Sequence, residues 1–119
     1  MGKRIVTIEA KSLDVTSILP LVQEGCMVRI YFDRSFLLIE ERTDRFYGTG
    51  SIKQIRITFM EYQCEEGRDH WKAFQTQYFP VSQPKEAVEC FIDRAKSDKP
   101  HCANRGGISL QELSTQQKA

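Results

Sequence analysis

The side chains that could carry chemistry in this sequence are its cysteines and histidines, and their spacing limits what they can do. They are Cys26, Cys64, His70, Cys90, His101 and Cys102. A structural zinc site usually has about two to four residues between paired cysteines, or about three to five between paired histidines, because ligands on one short turn define an edge of the tetrahedron. Cys64 and His70 have five residues between them, and His101 and Cys102 are adjacent, so neither pair has this form. We therefore expect no metal site.

A catalytic cysteine would need a base within hydrogen-bonding distance, and usually a third group that orients the base. His70 could serve Cys64 or Cys26 in such a dyad, but no local sequence motif supports either pairing. The adjacent carboxylates at residues 40–41 and 65–66 are typical of solvated charges at a strand end and in a loop. We expect a protein that is not an enzyme and that uses no cofactor.

The start of the chain bears on its compartment. The first ten residues contain no apolar segment of the kind that forms a secretory signal. The longest apolar run, residues 36–39, is far shorter than the roughly 18 residues of a membrane-spanning helix. We therefore expect a cytoplasmic protein that does not bind membranes. In a reducing cytosol its cysteines should be free thiols.

The clearest structural pattern covers residues 71–96. Aromatic and β-branched residues recur over residues 71–79 without glycine or proline, which predicts a strand. Pro80 should end this strand, because proline cannot donate a hydrogen bond to a neighbouring strand. Pro84 suits the first turn of a helix, and the apolar stripe that follows predicts an amphipathic helix packed on a sheet.

Four further segments show strand-like alternation: residues 3–10, 26–33, 36–42 and 52–62. Before the second of these strands, a short helix should end at Gly25, and Ser12, Asp14 or Thr16 could cap its start. Because proline is tolerated only in the first turn of a helix, Pro20 predicts a start near Ser17, or else an irregular loop. Residues 43–45 predict a turn.

A run of strands followed by one long helix predicts an α+β fold. We expect an antiparallel sheet of about five strands, with the long C-terminal helix packed on one face to give a two-layer sandwich. Residues 1–98 should form this single domain. The polar residues 99–119 should form a flexible C-terminal tail.

Alternation along the strands divides their side chains between two faces of the sheet. The face beneath the helix should form the core, with Val28, Ile30, Phe32, Ile55, Ile57, Phe59, Trp71 and Phe79. The other face combines cationic side chains with aromatic rings. We predict that it binds a partner through Arg29, Tyr31, Arg56, Tyr62, Lys72, Phe74 and Tyr78.

A surface of cations and aromatic rings is typical of protein-binding hot spots and of platforms for single-stranded nucleic acid. It is also typical of cross-strand pairs that only stabilise a sheet. The net charge of +1 argues against nucleic acid, because phosphate neutralisation dominates that affinity.

We therefore expect a small non-catalytic module that binds a protein partner. It would be an adaptor or an inhibitor, such as an immunity protein or a phage-encoded inhibitor of a host defence complex. A single-stranded nucleic-acid-binding protein is the second hypothesis, and a small enzyme or ligand-binding domain is the third.

Overall fold

Five strands and two α-helices make up the part of the chain that this computed structural model describes, residues 4–46 and 50–102, without the side chains of residues 45 and 46. In chain order they are β1 (Ile5–Ile8), α1 (Val15–Gln23), β2 (Met27–Tyr31), β3 (Ser35–Phe46), β4 (Gly50–Glu65), β5 (Arg68–Pro80) and α2 (Pro84–Lys96). A short 3₁₀ turn, Ala10–Ser12, precedes α1. Neither helix in these ranges is long and apolar enough to cross a membrane.

The strands lie in sequence order in a single sheet, β1-β2-β3-β4-β5. β1 and β2 are parallel, and α1 supplies the crossover that parallel neighbours require. The other neighbouring strands are antiparallel. The predicted α+β fold is therefore confirmed, with one parallel pair in a mostly antiparallel sheet.

Both helices pack on the same face of the sheet and close one apolar core. Phe91 of α2 and Ile18 of α1 are fully buried there, together with Leu37, Ile39 and Ile57 of the sheet. Burying an aliphatic or aromatic side chain of this size contributes roughly 1.5–3 kcal/mol relative to leaving it exposed. Burial of this apolar cluster is the main contribution that holds the helices on the sheet.

Helix α1 begins earlier than the sequence predicts. Its N-cap is Asp14, whose carboxylate accepts hydrogen bonds from the Ser17 backbone N–H at 2.8 Å and from the Ser17 hydroxyl at 3.1 Å. This cap sets the first helical residue at Val15, so the expected start near Ser17 is wrong. Pro20 consequently lies inside the helix. Pro20 cannot donate the main-chain hydrogen bond of its position, and the helix is held on the sheet by its buried residues Ile18 and Val22.

The hairpin of β3 and β4 is longer than the sequence predicts. Thr43 pairs with Lys53 and Asp44 pairs with Ile52, so the turn expected at residues 43–45 is wrong. An ion pair of 2.7 Å between Lys53 and Glu41 links the two strands in this region. Polar cross-strand pairs thus continue the ladder beyond the apolar alternation from which the strand was predicted.

A β-bulge divides β5 into two halves with different registers. Ile57 of β4 pairs with Gln77, whereas Phe59 pairs with Phe74, so β5 carries one extra residue between these two pairs. Within the bulge, Gln75 has a φ of +48°, in the left-handed region that few residues other than glycine adopt.

Because of the extra residue, each side chain in the first half of β5 points to the face opposite to the one that unbroken alternation predicts. Phe74 packs against the core cluster, and Lys72 is on the same side of the sheet, with its Nζ 5.0 Å from the centre of the Phe74 ring. Trp71 turns to the opposite face and is 46% exposed. The predicted placement of Lys72 and Phe74 opposite the core, and of Trp71 within it, is therefore wrong.

The guanidinium of Arg94 joins α2, the bulge and the segment that follows α2. It is fully buried and donates to five uncharged acceptors. These are the carbonyl oxygens of Pro100 (2.6 Å), Gln75 (2.6 Å), Phe74 (3.3 Å) and His101 (3.4 Å), and Gln77 Oε1 (3.2 Å). Burial lowers the pKa of Arg94 from its usual value, although a guanidinium stays charged in proteins.

The hydrogen bonds of Arg94 also extend the packed region beyond residue 98. The His101 ring lies 6.1 Å from the Phe59 ring, between centroids, so the chain returns to the sheet after α2 ends. The remaining residues of the predicted tail, 103–119, lie outside the described residues.

We expect Arg94→Leu to lower the free energy of unfolding by about 2–4 kcal/mol, because each buried acceptor left without a donor costs about 1–3 kcal/mol and some relax to water. The measurement is urea denaturation followed by circular dichroism. Lys96→Leu, at an exposed site on the same helix, is the control and should change stability by less than about 0.5 kcal/mol. Equal effects of the two substitutions would contradict a stabilising role for the buried hydrogen bonds of Arg94.

Candidate binding surface

Four aromatic rings form a continuous row on the face of the sheet opposite the helices, one from each of β2 to β5. The row is Tyr31, Phe36, Trp71 and Tyr62. Ring centroids are separated by 5.4 Å for Tyr31–Phe36, 5.0 Å for Phe36–Trp71 and 5.4 Å for Tyr62–Trp71. These distances fall in the favourable range for tilted and edge-to-face ring pairs.

The turn between β2 and β3 fixes one side of this row. The Phe32 backbone N–H donates to the Ser35 carbonyl at 2.8 Å and closes the turn. The Tyr62 backbone N–H donates to the Arg34 carbonyl at 3.0 Å, which fastens the turn to β4. The sheet thus holds the turn where the row passes.

Strand register sets the rest of the row. Tyr31 is paired with Phe36 across β2 and β3, and Tyr62 is paired with Trp71 across β4 and β5. Directly paired residues point to the same face of a sheet. The Trp71 pairing exists only because of the bulge at Gln75, since an unbroken β5 would turn Trp71 towards the core.

Two arginines stack on the rings of this row. Arg29 Cζ lies 4.9 Å from the centroid of the Tyr31 ring and 5.6 Å from that of the Phe36 ring. Arg34 Cζ lies 5.5 Å from the centroid of the Tyr62 ring. Both are cation–π distances. The aromatic–arginine patch is the set Arg29, Tyr31, Arg34, Phe36, Tyr62 and Trp71.

Asp69 orders the polar border of the patch. Hydrogen bonds from the Tyr62 hydroxyl and the Cys64 thiol hold the pKa of the Asp69 carboxyl below its usual value. The same hydrogen bonds raise the pKa of Tyr62 and the pKa of Cys64. The thiolate form of Cys64 is therefore disfavoured, which makes this exposed cysteine a poor nucleophile.

A network of partly buried charges around the buried Glu40 occupies the same face beyond the patch. Arg56 Nη2 lies 3.3 Å from Glu40 Oε1, and Arg42 reaches the same oxygen at 3.6 Å and Asp44 at 3.1 Å. Glu40 is only 3% exposed, so the expectation of a solvated carboxylate at this position is wrong. Its Oε2 and Gln54 Oε1 have no hydrogen-bond partner among the described residues, but both atoms are shielded from solvent and out of a ligand's reach.

The residues predicted for binding therefore divide into separate groups. Arg29, Tyr31 and Tyr62 belong to the patch. Arg56 lies on the same face in the charge network, with Tyr78 as its cross-strand neighbour. Lys72 and Phe74 are on the helix side.

Sequence reasoning missed three members of the patch: Arg34, Phe36 and Trp71. Phe36 could have been found from the hairpin, since a short turn at residues 32–35 places it opposite Tyr31. Arg34 lies in that turn, where alternation does not indicate a direction. Trp71 was assigned to the wrong face because β5 has no glycine to mark the bulge.

An apolar groove lies beside the Tyr31 end of the patch. It has a volume of about 620 Å³ and runs between the end of β1, the end of β2 and the last turn of α2. Its apolar lining includes Ile8, Leu13, Phe32 and Ala95. Thr7, Glu9 and Lys96 add polar groups to this lining, so the groove has the general composition of a small-molecule site.

The six cysteines and histidines do not assemble into a metal site in the described residues, where no group of three or more potential ligands is found. Cys26 and Cys90 are buried, whereas Cys64 and Cys102 are exposed, and all four are free thiols. Burial raises the pKa of Cys90.

Comparison with protein families, curated proteins and solved structures gives no significant match. The chemistry of the aromatic–arginine patch is therefore the main indication of function.

The exposure of Trp71 can be measured directly, because it is the single tryptophan in the chain. We expect a red-shifted fluorescence emission in the folded protein and strong quenching by a soluble quencher such as iodide. Trp71→Phe should lower the free energy of unfolding by less than about 1.5 kcal/mol, whereas truncating buried Phe91 to alanine should cost about 3–5 kcal/mol. A blue-shifted emission that resists quenching would place the indole in the core and contradict the register of β5.

We expect Asp69→Asn to return the pKa of Tyr62 towards about 10, its ordinary value, because the substitution removes the anion that favours the neutral phenol. A raised tyrosine pKa means that this contribution to stability is present below about pH 10 and is lost as pH rises through the folded-state pKa. For Asp69 the pKa is lowered, so its contribution is present above about pH 4 and is lost on acidification through the folded-state pKa.

The measurement is an ultraviolet absorbance titration of tyrosinate, with the Tyr62→Phe protein subtracted to isolate Tyr62. An unchanged Tyr62 titration in Asp69→Asn would show that the two side chains are not coupled.

Proposed function

We propose that this protein is a non-catalytic module that binds a protein partner through the aromatic–arginine patch. The observation that carries the proposal is the unbroken row of rings across four strands, with an arginine stacked at each end. Tyr31 and Trp71 are 47% and 46% exposed, which is unusual for such large side chains unless another surface covers them.

The composition of the patch supports this function. Tryptophan, tyrosine and arginine are the residues most enriched among those that dominate binding energy at protein interfaces. The rings are held by contacts with one another and by paired strands, so little conformational entropy remains to be lost on binding. A rigid aromatic centre with a polar border is the usual anatomy of a specific interface.

Charge favours a protein partner over single-stranded nucleic acid. Phosphate recognition requires a positive track along the bound strand, whereas the Tyr62 end of the patch is bordered by Asp69 and by exposed Glu65 and Glu66 at the tip of the β4–β5 hairpin. With a net charge of +1, the whole chain adds no general attraction for phosphates.

An adaptor or an inhibitor is the role that fits such a module, because the patch is a flat recognition surface and not a reaction pocket. The raised pKa of Cys64 argues against a cysteine nucleophile at the edge of the patch. We propose that the protein acts in the cytoplasm by covering a surface of its partner.

The test is capture from cell lysate with the tagged full-length protein, with and without nuclease, compared with Trp71→Ala and Tyr31→Ala. We expect a discrete protein that survives nuclease and whose recovery falls at least 10-fold with either variant, as for hot-spot residues worth more than about 1.4 kcal/mol. Val81→Ser is the matched control, because Val81 is also exposed but lies outside the patch.

Circular dichroism of each variant verifies that the fold is intact. Equal recovery of the partner by Trp71→Ala and Val81→Ser would show that the patch is not part of the interface. Loss of the captured partners after nuclease treatment would instead support the nucleic-acid hypothesis. A logarithm of the binding constant that falls linearly with the logarithm of salt concentration would support it as well.

A further inference from the structure

Neither arginine of the patch forms an ion pair with a carboxylate in the described ranges. Arg29 Nε donates to the Thr7 hydroxyl at 2.9 Å, which orients the guanidinium. Arg34 lies close enough to Asp69 for its charge to help lower the pKa of that carboxyl. Other arginines on this face are occupied, since Arg42 and Arg56 are both paired with Glu40.

The rings beside these two guanidiniums supply cation–π contacts, which hold a cation in place without using its hydrogen-bond donors. A guanidinium carries paired N–H donors that match a carboxylate in a bidentate contact. Arg29 and Arg34 are therefore the groups of the patch that suit carboxylates of a partner.

The apolar seat of the patch consists of the exposed parts of the Tyr31 and Trp71 rings, which are 47% and 46% exposed. Phe36 contacts both rings from below and is only 9% exposed, with Arg29 over its ring. The seat therefore offers apolar area to a partner side chain directly beside a guanidinium.

We propose that the partner of this patch presents an acidic segment with an aromatic or large aliphatic anchor. The anchor side chain packs on the seat formed by the exposed rings of Tyr31 and Trp71, and aspartate or glutamate side chains on either side of it pair with Arg29 and Arg34. This inference rests on the proposed protein-binding function and specifies the chemistry of the partner.

The acidic residues at the tip of the β4–β5 hairpin are consistent with this orientation. Asp69 is already engaged by Tyr62 and Cys64, so it does not present a free carboxylate to a basic partner. Exposed Glu65 and Glu66 would repel an acidic segment that extended over the tip. The segment should therefore run along the row of rings and stop before the hairpin tip.

The test uses two fluorescein-labelled synthetic peptides of equal length, one with a central tryptophan flanked by three glutamates on each side and one with lysine in place of every glutamate. Binding to the full-length protein is measured by fluorescence anisotropy at about 0.1 M salt. We expect the glutamate peptide to bind at least 10-fold more tightly than the lysine peptide. Arg29→Gln and Arg34→Gln should each weaken the glutamate peptide at least 3-fold.

Lys85→Gln is the matched control, because it also removes one positive charge but from an exposed site on α2, on the opposite side of the sheet. It should leave the affinity within 1.5-fold. A glutamate peptide in which alanine replaces tryptophan tests the seat, and it should bind at least 5-fold more weakly.

Equal binding of the two charged peptides, no binding of either, or equal effects of Arg29→Gln and Lys85→Gln would each overturn the proposed partner chemistry. Trp71-dependent capture of a lysate protein would then still support a protein-binding patch, so the two proposals can fail separately. Displacement of the glutamate peptide by oligo-deoxythymidine at similar concentration would show that the arginines recognise anions in general and would also overturn the inference.

Discussion

The buried guanidinium of Arg94 is the interaction on which the arrangement of this protein depends. It satisfies carbonyl groups at the bulge of β5, at Phe74 and Gln75, and others beyond α2, at Pro100 and His101. A bulge leaves main-chain groups outside the sheet ladder, and buried groups of this kind require partners. One cation on the helix supplies those partners, so helix position and strand register support each other.

The consequence of the bulge reaches the opposite face of the sheet. Because of the extra residue, Trp71 lies outside the core, in contact with Tyr62 and Phe36. Phe74 packs against the core instead. The aromatic–arginine patch is thus completed by a feature on the other side of the same strand. A surface built in this way is rigid because its register is fixed by core packing and not by the surface residues themselves.

Much of the fold follows from alternation alone, and the places where that reasoning fails have physical causes. Val28 and Arg29 take the faces that their spacing predicts, because β2 pairs without interruption. Alternation fails across Gln75, where a residue without any special tendency for positive φ adopts it under the constraint of Arg94. The expected solvation fails at Glu40, since a carboxylate between two arginines can be buried although it looks solvent-exposed in the sequence.

The same contacts also protect an exposed edge. β5 is a long outer strand, Arg68–Pro80, and a strand of this length with free main-chain groups would be a template for pairing with a second molecule. Arg94 occupies the carbonyl groups of Phe74 and Gln75, and the bulge bends the strand at the same point. The edge is therefore interrupted near its middle, so a second strand could not pair with it in one continuous register.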